Sequence, residues 1–171
     1  RDSLFTVAIT GFPNVGKTTL LSRLTGSTPE IQNYSFTTKN INIGYIKTQE
    51  CLIQVMDTPG SLNRGRMNPM EKQADLVLKH LASIIVYVFD PTEPYSMQDQ
   101  IKLYESVNSM GKPVICYASK TDISEMPSVL HEYNPITNHL ELKVQIEKLV
   151  TQQAFSCQDT LSDSSSQGQS E

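Results

Sequence analysis

The chain has 171 residues, three cysteines and a net charge of −4. That length suits one domain with a sizeable core, and the mild negative charge excludes a protein that grips nucleic acid through a broadly basic surface. Cys51, Cys116 and Cys157 are odd in number and lack metal-ligand spacing, which points to reduced thiols in an intracellular protein.

Residues 4–10 hold Leu4, Phe5, Val7, Ala8 and Ile9 and read as a buried strand. Residues 11–18, Gly-Phe-Pro-Asn-Val-Gly-Lys-Thr, then have the form G-x-x-x-x-G-K-[ST], a phosphate-binding loop. Leu20, Leu21 and Leu24 follow at helical spacing, with Gly26 as the stop. A strand, this loop and a helix start are the context in which the motif works. Successive main-chain amides of Asn14, Val15, Gly16, Lys17, Thr18 and Thr19 can turn inward as an anion nest, reinforced by the helix dipole. Lys17 sets a compact positive charge on the β- and γ-phosphates, and the Thr18 hydroxyl is a ligand for Mg²⁺.

Residues 27–40 are polar and read as a loop. Ile41, Ile43 and Tyr45 alternate along one strand, and residues 51–56 form a second, joined to it as a hairpin. Asp57-Thr58-Pro59-Gly60 ends that second strand, where Asp57 can hold Mg²⁺ and Gly60 can offer its N–H to a γ-phosphate. Phe36-Thr37-Thr38 lies in the loop between these motifs, and either threonine is placed to close on the metal when a γ-phosphate is present.

After a flexible stretch over residues 61–69, Ala74, Val77, Leu78 and Leu81 mark a helix. Residues 84–89 are a continuous apolar run, as in a parallel strand buried on both faces. Ser96 and Asp99 open a helix that presents Met97, Ile101 and Tyr104 on one side, and Gly111 and Pro113 close it. Residues 114–118 are another buried strand with Cys116 in its core, residues 123–136 have only a weak pattern, and a last helix covers residues 139–151. Strands alternating with helices predict an α/β fold, with an open, mostly parallel sheet and helices on both faces. Ligands then bind at the loops that follow the strands. From Gln152 the chain turns to Ser, Gln and Asp and reads as a disordered tail, which divides it into a domain over residues 1–151 and a tail over 152–171. A start at Arg1 rather than Met fits a processed form or a domain cut from a longer chain. There is no signal-peptide pattern, and no apolar run is long enough to span a bilayer.

Ser119-Lys120-Thr121-Asp122 follows the strand at 114–118. It is one residue from N-K-x-D, in which the Asp accepts from the N1–H and 2-amino group of guanine and the Lys stem lies along the base. Ser119 keeps a hydroxyl where the pattern has an amide. A second base contact is expected after the next strand, where Thr137 and Asn138 are the candidates; Asn138 with Glu141 also reads as a helix cap. His80, His131 and His139 are scattered and build no rival metal or nucleophile site.

The segments GFPNVGKT, NYSFTTKNINIGYI, DTPGSLNRGRMNPMEKQADLVLKHLASIIVYVFDP and YSMQDQIKLYESV together resemble the NOG group of Obg-like GTPases, the nucleolar GTP-binding proteins of large-subunit assembly and their archaeal relatives. The resemblance implies a three-layer P-loop, Ras-like GTPase domain that binds GTP and GDP with Mg²⁺ and associates, as a monomer, with pre-ribosomal particles. It implies a nucleolar or nuclear location in a eukaryote and a cytoplasmic one in an archaeon. It favours Thr38 over Thr37 as metal ligand, and gives Lys17, Thr38 and Gly60 the catalytic roles. In similar P-N-V-G-K loops the Asn helps hold K⁺ near the phosphates, so Asn14 is a candidate K⁺ ligand. The chain departs from the family in three ways. The family carries a helical region before the GTPase domain and a long extension after it, and neither is expected in these residues. Ser119 stands in the base motif, and the interval between Asp122 and Thr137 is too short for the family's helix and strand. Set against Ras-like enzymes, Ser61-Leu62 follows Gly60 in place of a water-orienting Gln. Slow hydrolysis is therefore expected. A hydrolysis-deficient guanine-nucleotide scaffold and an ATPase of relaxed base specificity are the alternatives.

Overall fold

The computed structural model describes residues 4–26, 28–33, 40–60 and 68–164, without the side chains of residues 70 and 158–164. The elements run β1 (Leu4–Thr10), α1 (Lys17–Thr25), β2 (Glu30–Gln32), β3 (Ile41–Lys47), β4 (Leu52–Asp57), α2 (Pro69–His80), β5 (Ile84–Phe89), α3 (Met97–Asn108), β6 (Val114–Ala118) and α4 (His139–Ser164), with a 3-10 helix at Ser128–Tyr133. The six strands form one sheet in the order β2-β3-β4-β1-β5-β6. β1 lies parallel between β4 and β5, and β6 is parallel to β5. β3 is antiparallel to both β2 and β4, as the hairpin pattern predicts.

All six residues of β5 are buried, which requires cover on both faces of the sheet. α1 packs over β3 and β4 and beside α4. It fits there because β3 carries Gly44 at the crossing: a Cβ on Gly44 would sit 2.5 Å from the Thr25 side chain of α1. The central strands and α1 meet in one core that includes Val7, Ile9, Leu21, Leu24, Val55 and Tyr87. Because β1, β4, β5 and β6 share a direction, the loops that leave their C-terminal ends gather at one rim.

Three expectations need correction. The polar loop at 27–40 contains β2, three residues whose Ile31 is exposed and leaves no periodic trace. On α3 the buried residues are Met97, Gln100, Leu103 and Val107; Ile101 and Tyr104 are only half-buried. The stripe is rotated because a polar residue, Gln100, is fully buried within it. Between Asp122 and α4, as the short interval suggests, there is no full helix and strand but the 3-10 helix and a single parallel bridge from Ile136 to Tyr117. Finally, α4 does not stop at Thr151 but runs to Ser164. Its continuation holds no Gly or Pro to break it, and Gln153 donates to the main-chain oxygen of Ser83 at 3.2 Å.

Candidate nucleotide site

The loop between β1 and α1 turns through three left-handed residues. Gly11 has φ 151°, Asn14 61° and Gly16 100°. Gly11 has no room for a side chain, since a Cβ there would meet the Val88 carbonyl oxygen at 2.9 Å. Val15 is turned into the core, so only its main chain is left for a ligand. Lys17 is 7% exposed and donates from Nζ to the Phe12 carbonyl at 2.7 Å. Burial pushes its ammonium below the ordinary lysine value, opposed by the Asp57 carboxylate.

Asp57 ends β4 opposite this loop. Its Oδ2 accepts from the Thr18 hydroxyl at 2.6 Å, and its Oδ1 is buried with no hydrogen-bond partner. Burial raises its pKa, while the Thr18 hydroxyl, the Lys17 ammonium and the Asn42 side chain pull the other way. A carboxylate oxygen left without a donor beside a threonine hydroxyl fits a hard, oxygen-seeking cation such as Mg²⁺. Among the described residues no group of three or more His, Cys, Asp or Glu is placed to hold a metal ion.

Thr58 ties the segment to β1 through its N–H and hydroxyl, both donated to the Ile9 carbonyl, at 3.1 and 2.8 Å. Gly60 then lies against Pro13. The phosphate loop, Asp57, Thr58, Pro59, Gly60 and Lys120 enclose a cavity of about 540 Å³.

A second cavity of about 260 Å³ adjoins the first and shares Gly16, Thr19 and Lys120 with it. Leu20, Arg23, Tyr117, Ser119, Asp122 and Ile123 complete its lining. Ser119 is buried, and its N–H and hydroxyl both reach the Phe89 carbonyl, at 2.9 and 3.2 Å. The hydroxyl thus supplies one anchor between the base motif and β5. Lys120, itself at φ 54°, bridges the two cavities: Nζ donates to the Asn14 carbonyl at 3.2 Å and pairs with Asp90 Oδ2. Asp90 is fully buried, and its Oδ1 accepts from the Thr92 N–H and hydroxyl.

The structure therefore gathers Asn14, Gly16, Lys17, Thr18, Thr19, Asp57, Thr58, Pro59, Gly60, Ser119, Lys120 and Asp122 along one continuous cleft. It does not bring in Thr137 or Asn138. Neither lines the two cavities described above, and Asn138 Oδ1 instead accepts from Leu140 N–H at 2.8 Å at the start of α4. Ile136 pairs in parallel with β6 through a single bridge to Tyr117, and the chain then turns directly into α4. Phe36, Thr37 and Thr38, and also Ser61 and Leu62, lie outside the described residues. Sequence reasoning missed Arg23, Tyr117 and Asp90. Gly16, Thr19, Leu20 and Arg23 fall at i, i+3, i+4 and i+7, and that spacing was the available signal for Arg23.

The family model for 50S ribosome-binding GTPases matches residues 6–120. An uncharacterised protein of Methanocaldococcus jannaschii is 44% identical over 69% of this chain and 34% of its own length. Nucleolar GTP-binding protein 1 of Drosophila melanogaster is 35% identical over 80% of this chain and 22% of its own length. This chain thus spans about a third or less of the curated relatives it matches. The G domain of the FeoB iron transporter of T. maritima superposes with a TM-score of 0.69 at 26% identity, over 87% of this chain and 98% of that one. Among the described residues no helix is long and apolar enough to cross a membrane. From the strand that carries the phosphate loop to the lysine that bridges the two cavities, the chain belongs to the 50S ribosome-binding GTPase family.

Proposed function

We propose that the chain is a guanine-nucleotide switch that binds GTP with Mg²⁺, hydrolyses it slowly to GDP and phosphate, and serves assembly of the large ribosomal subunit. One observation carries the nucleotide reading. A cleft with Lys17, Thr18 and Asp57 at one end continues past Lys120 to Asp122 at the other. That order matches phosphates, sugar and base along a nucleotide.

The amides of residues 14–19 and Lys17 hold the phosphates. Thr18 and Asp57 are the residues that hold Mg²⁺, which neutralises phosphate charge when bound. Gly60 N–H serves the γ-phosphate, and Thr38 closes on the metal in the triphosphate state. Asp122 accepts from the guanine N1–H and 2-amino group, while Lys120 lies beside the base. With Ser61 rather than Gln after Gly60, orientation of the attacking water is weak. Turnover then rests on positioning and charge neutralisation. Asn14 is the K⁺ ligand in this reading. The names of the relatives support a ribosomal role and, in a eukaryotic cell, a nucleolar location.

Titration with fluorescent GDP and ADP, with and without Mg²⁺, tests the reading. GDP should bind, and ADP should bind far more weakly. Asp122→Asn should move preference toward xanthosine nucleotides, and phosphate release should run faster in KCl than in NaCl. Equal GDP and ADP affinity would favour the ATPase alternative. Tight GTP binding without phosphate release in a single turnover would favour the scaffold.

A further inference from the structure

The base cavity raises a problem that the family pattern does not solve. Guanine presents N1–H and the 2-amino group as donors, and O6 and N7 as acceptors. Asp122 answers only the donors. Thr137 and Asn138, the candidates for a second base contact, do not line the cavity.

Arg23 does line it. The face of α1 made by Gly16, Thr19, Leu20 and Arg23 forms one wall, and Ser119, Lys120, Asp122 and Ile123 form the other. Burial raises the pKa of Tyr117 in the same lining, and Arg23 and Asp122 act on its hydroxyl with opposite electrostatic sign. A cationic fork and a carboxylate thus share a cavity of about 260 Å³. Among the described residues Arg23 has no ion pair and no hydrogen-bond partner. Its five donors are therefore available, and a guanidinium is the side chain that best matches the O6/N7 edge of guanine.

We propose that Arg23 is a specificity-determining residue that donates to the guanine O6/N7 edge, in place of the loop that the shortened segment after Asp122 no longer supplies. The inference rests on the guanine-nucleotide reading above and names the second base contact of that same site. It makes the cavity complementary on both edges: the carboxylate of Asp122 takes the donors, and the guanidinium of Arg23 takes the acceptors. Adenine, with an amino group in place of O6, would set a donor against Arg23.

The test is a titration of the wild-type chain and Arg23→Ala with GDP, 6-thio-GDP and IDP. Sulfur at position 6 is a weak acceptor, and IDP lacks only the 2-amino group. The variant should bind GDP about tenfold more weakly, as expected for loss of one charge-assisted hydrogen bond. Its preference for GDP over 6-thio-GDP should fall, because the sulfur alters only the O6 contact that the variant has lost. Its preference for GDP over IDP, which reads the Asp122 contact, should stay unchanged. A purely structural effect would weaken all three nucleotides alike and would overturn the proposal, as would an unchanged preference for GDP over 6-thio-GDP. If the wild-type chain binds none of the three, the guanine reading itself fails. If it binds them and only the Arg23 ratios stay put, that reading survives and the role of Arg23 does not.

Discussion

The Thr18 hydroxyl donates a 2.6 Å hydrogen bond to Oδ2 of Asp57, which joins the first turn of α1 to the C-terminal end of β4. The other carboxylate oxygen of Asp57 is buried and without a partner. An unpaired buried oxygen costs about 1–3 kcal/mol unless a ligand or ion satisfies it. Mg²⁺ should therefore tighten GDP binding to the wild-type chain. Thr18→Ala should lose about tenfold or more of that tightening. Parallel titrations in Mg²⁺ and in EDTA give the comparison, and an Mg²⁺ effect equal to wild type in Thr18→Ala would remove Thr18 from the metal site.

Gly60 touches the phosphate loop directly. A Cβ at this position would stand 2.6 Å from the Pro13 nitrogen and 2.7 Å from its Cα. Backbone atoms cannot step aside as a flexible side chain can, so Gly60→Ala must push the end of the Asp57–Gly60 segment away from the loop. The expected stability loss is about 1–3 kcal/mol. The more telling outcome concerns the γ-phosphate. The variant should lose preference for a non-hydrolysable GTP analogue over GDP, measured as a ratio of affinities.

The phosphate end of the site was legible because it is written in contiguous residues. The motif at 11–18 and the run from Asp57 to Gly60 each carry their own turn chemistry, and a strand precedes each. The base end was only half legible. Asp122 follows a strand and announces itself, but Asp90 acts on Lys120 from thirty positions away in sequence. Gln100 misled the reading of α3, since a buried amide breaks the apolar stripe that periodicity looks for. β2 is too short, and its Ile31 too exposed, to leave a pattern. The end of α4 was missed for a different reason. Polar composition lowers the expected burial, but Gln and Ala still favour helix where nothing breaks it.

Lys112 shows the same kind of distant partnership. From the turn before β6 its ammonium donates to the carbonyls of Leu78, Lys79 and Ala82 at 2.6–2.7 Å. Two of these carbonyls belong to the last turn of α2, where helix carbonyls lack partners of their own. Lys112→Met keeps most of the stem and removes the cap. It should cost about 1–3 kcal/mol in urea unfolding, with nucleotide affinity nearly unchanged because the turn lies away from the cleft.

Cys116 should resist alkylation. Burial pushes its thiol up to about 11, against a hydrogen bond with Tyr104 that pulls it down. At pH 7.5 the reactive thiolate is therefore a very small fraction of the folded form. Iodoacetamide should label exposed Cys157 and leave Cys116 until the chain unfolds. Mass mapping of the labelled peptides reads this out. The unfolded thiol ionises near 9, before the folded one. The contribution of Cys116 to stability is thus intact below pH 9 and falls as pH rises toward 11.

Gln100 links the two ends of the cleft. It is fully buried on α3, its Oε1 accepts from the Asp90 N–H at 2.8 Å, and its Nε2 donates to the Asp90 and Tyr95 carbonyls at 3.1 and 2.9 Å. Asp90 in turn holds Lys120 over the base cavity, and Tyr95 stacks on Phe12 of the phosphate loop with ring centroids 4.6 Å apart. One amide therefore fixes the turn that supports both the base lysine and the phosphate loop. Gln100→Leu preserves volume but strands the Asp90 N–H and two carbonyls. The expected loss is about 3 kcal/mol in urea unfolding, since one buried polar group left unpaired costs 1–3. GDP affinity should fall with it, because Lys120 loses its fixed partner. Saturating GDP should then stabilise the variant less than it stabilises wild type. Equal ligand-induced stabilisation in the two proteins would confine Gln100 to the fold and detach it from the site.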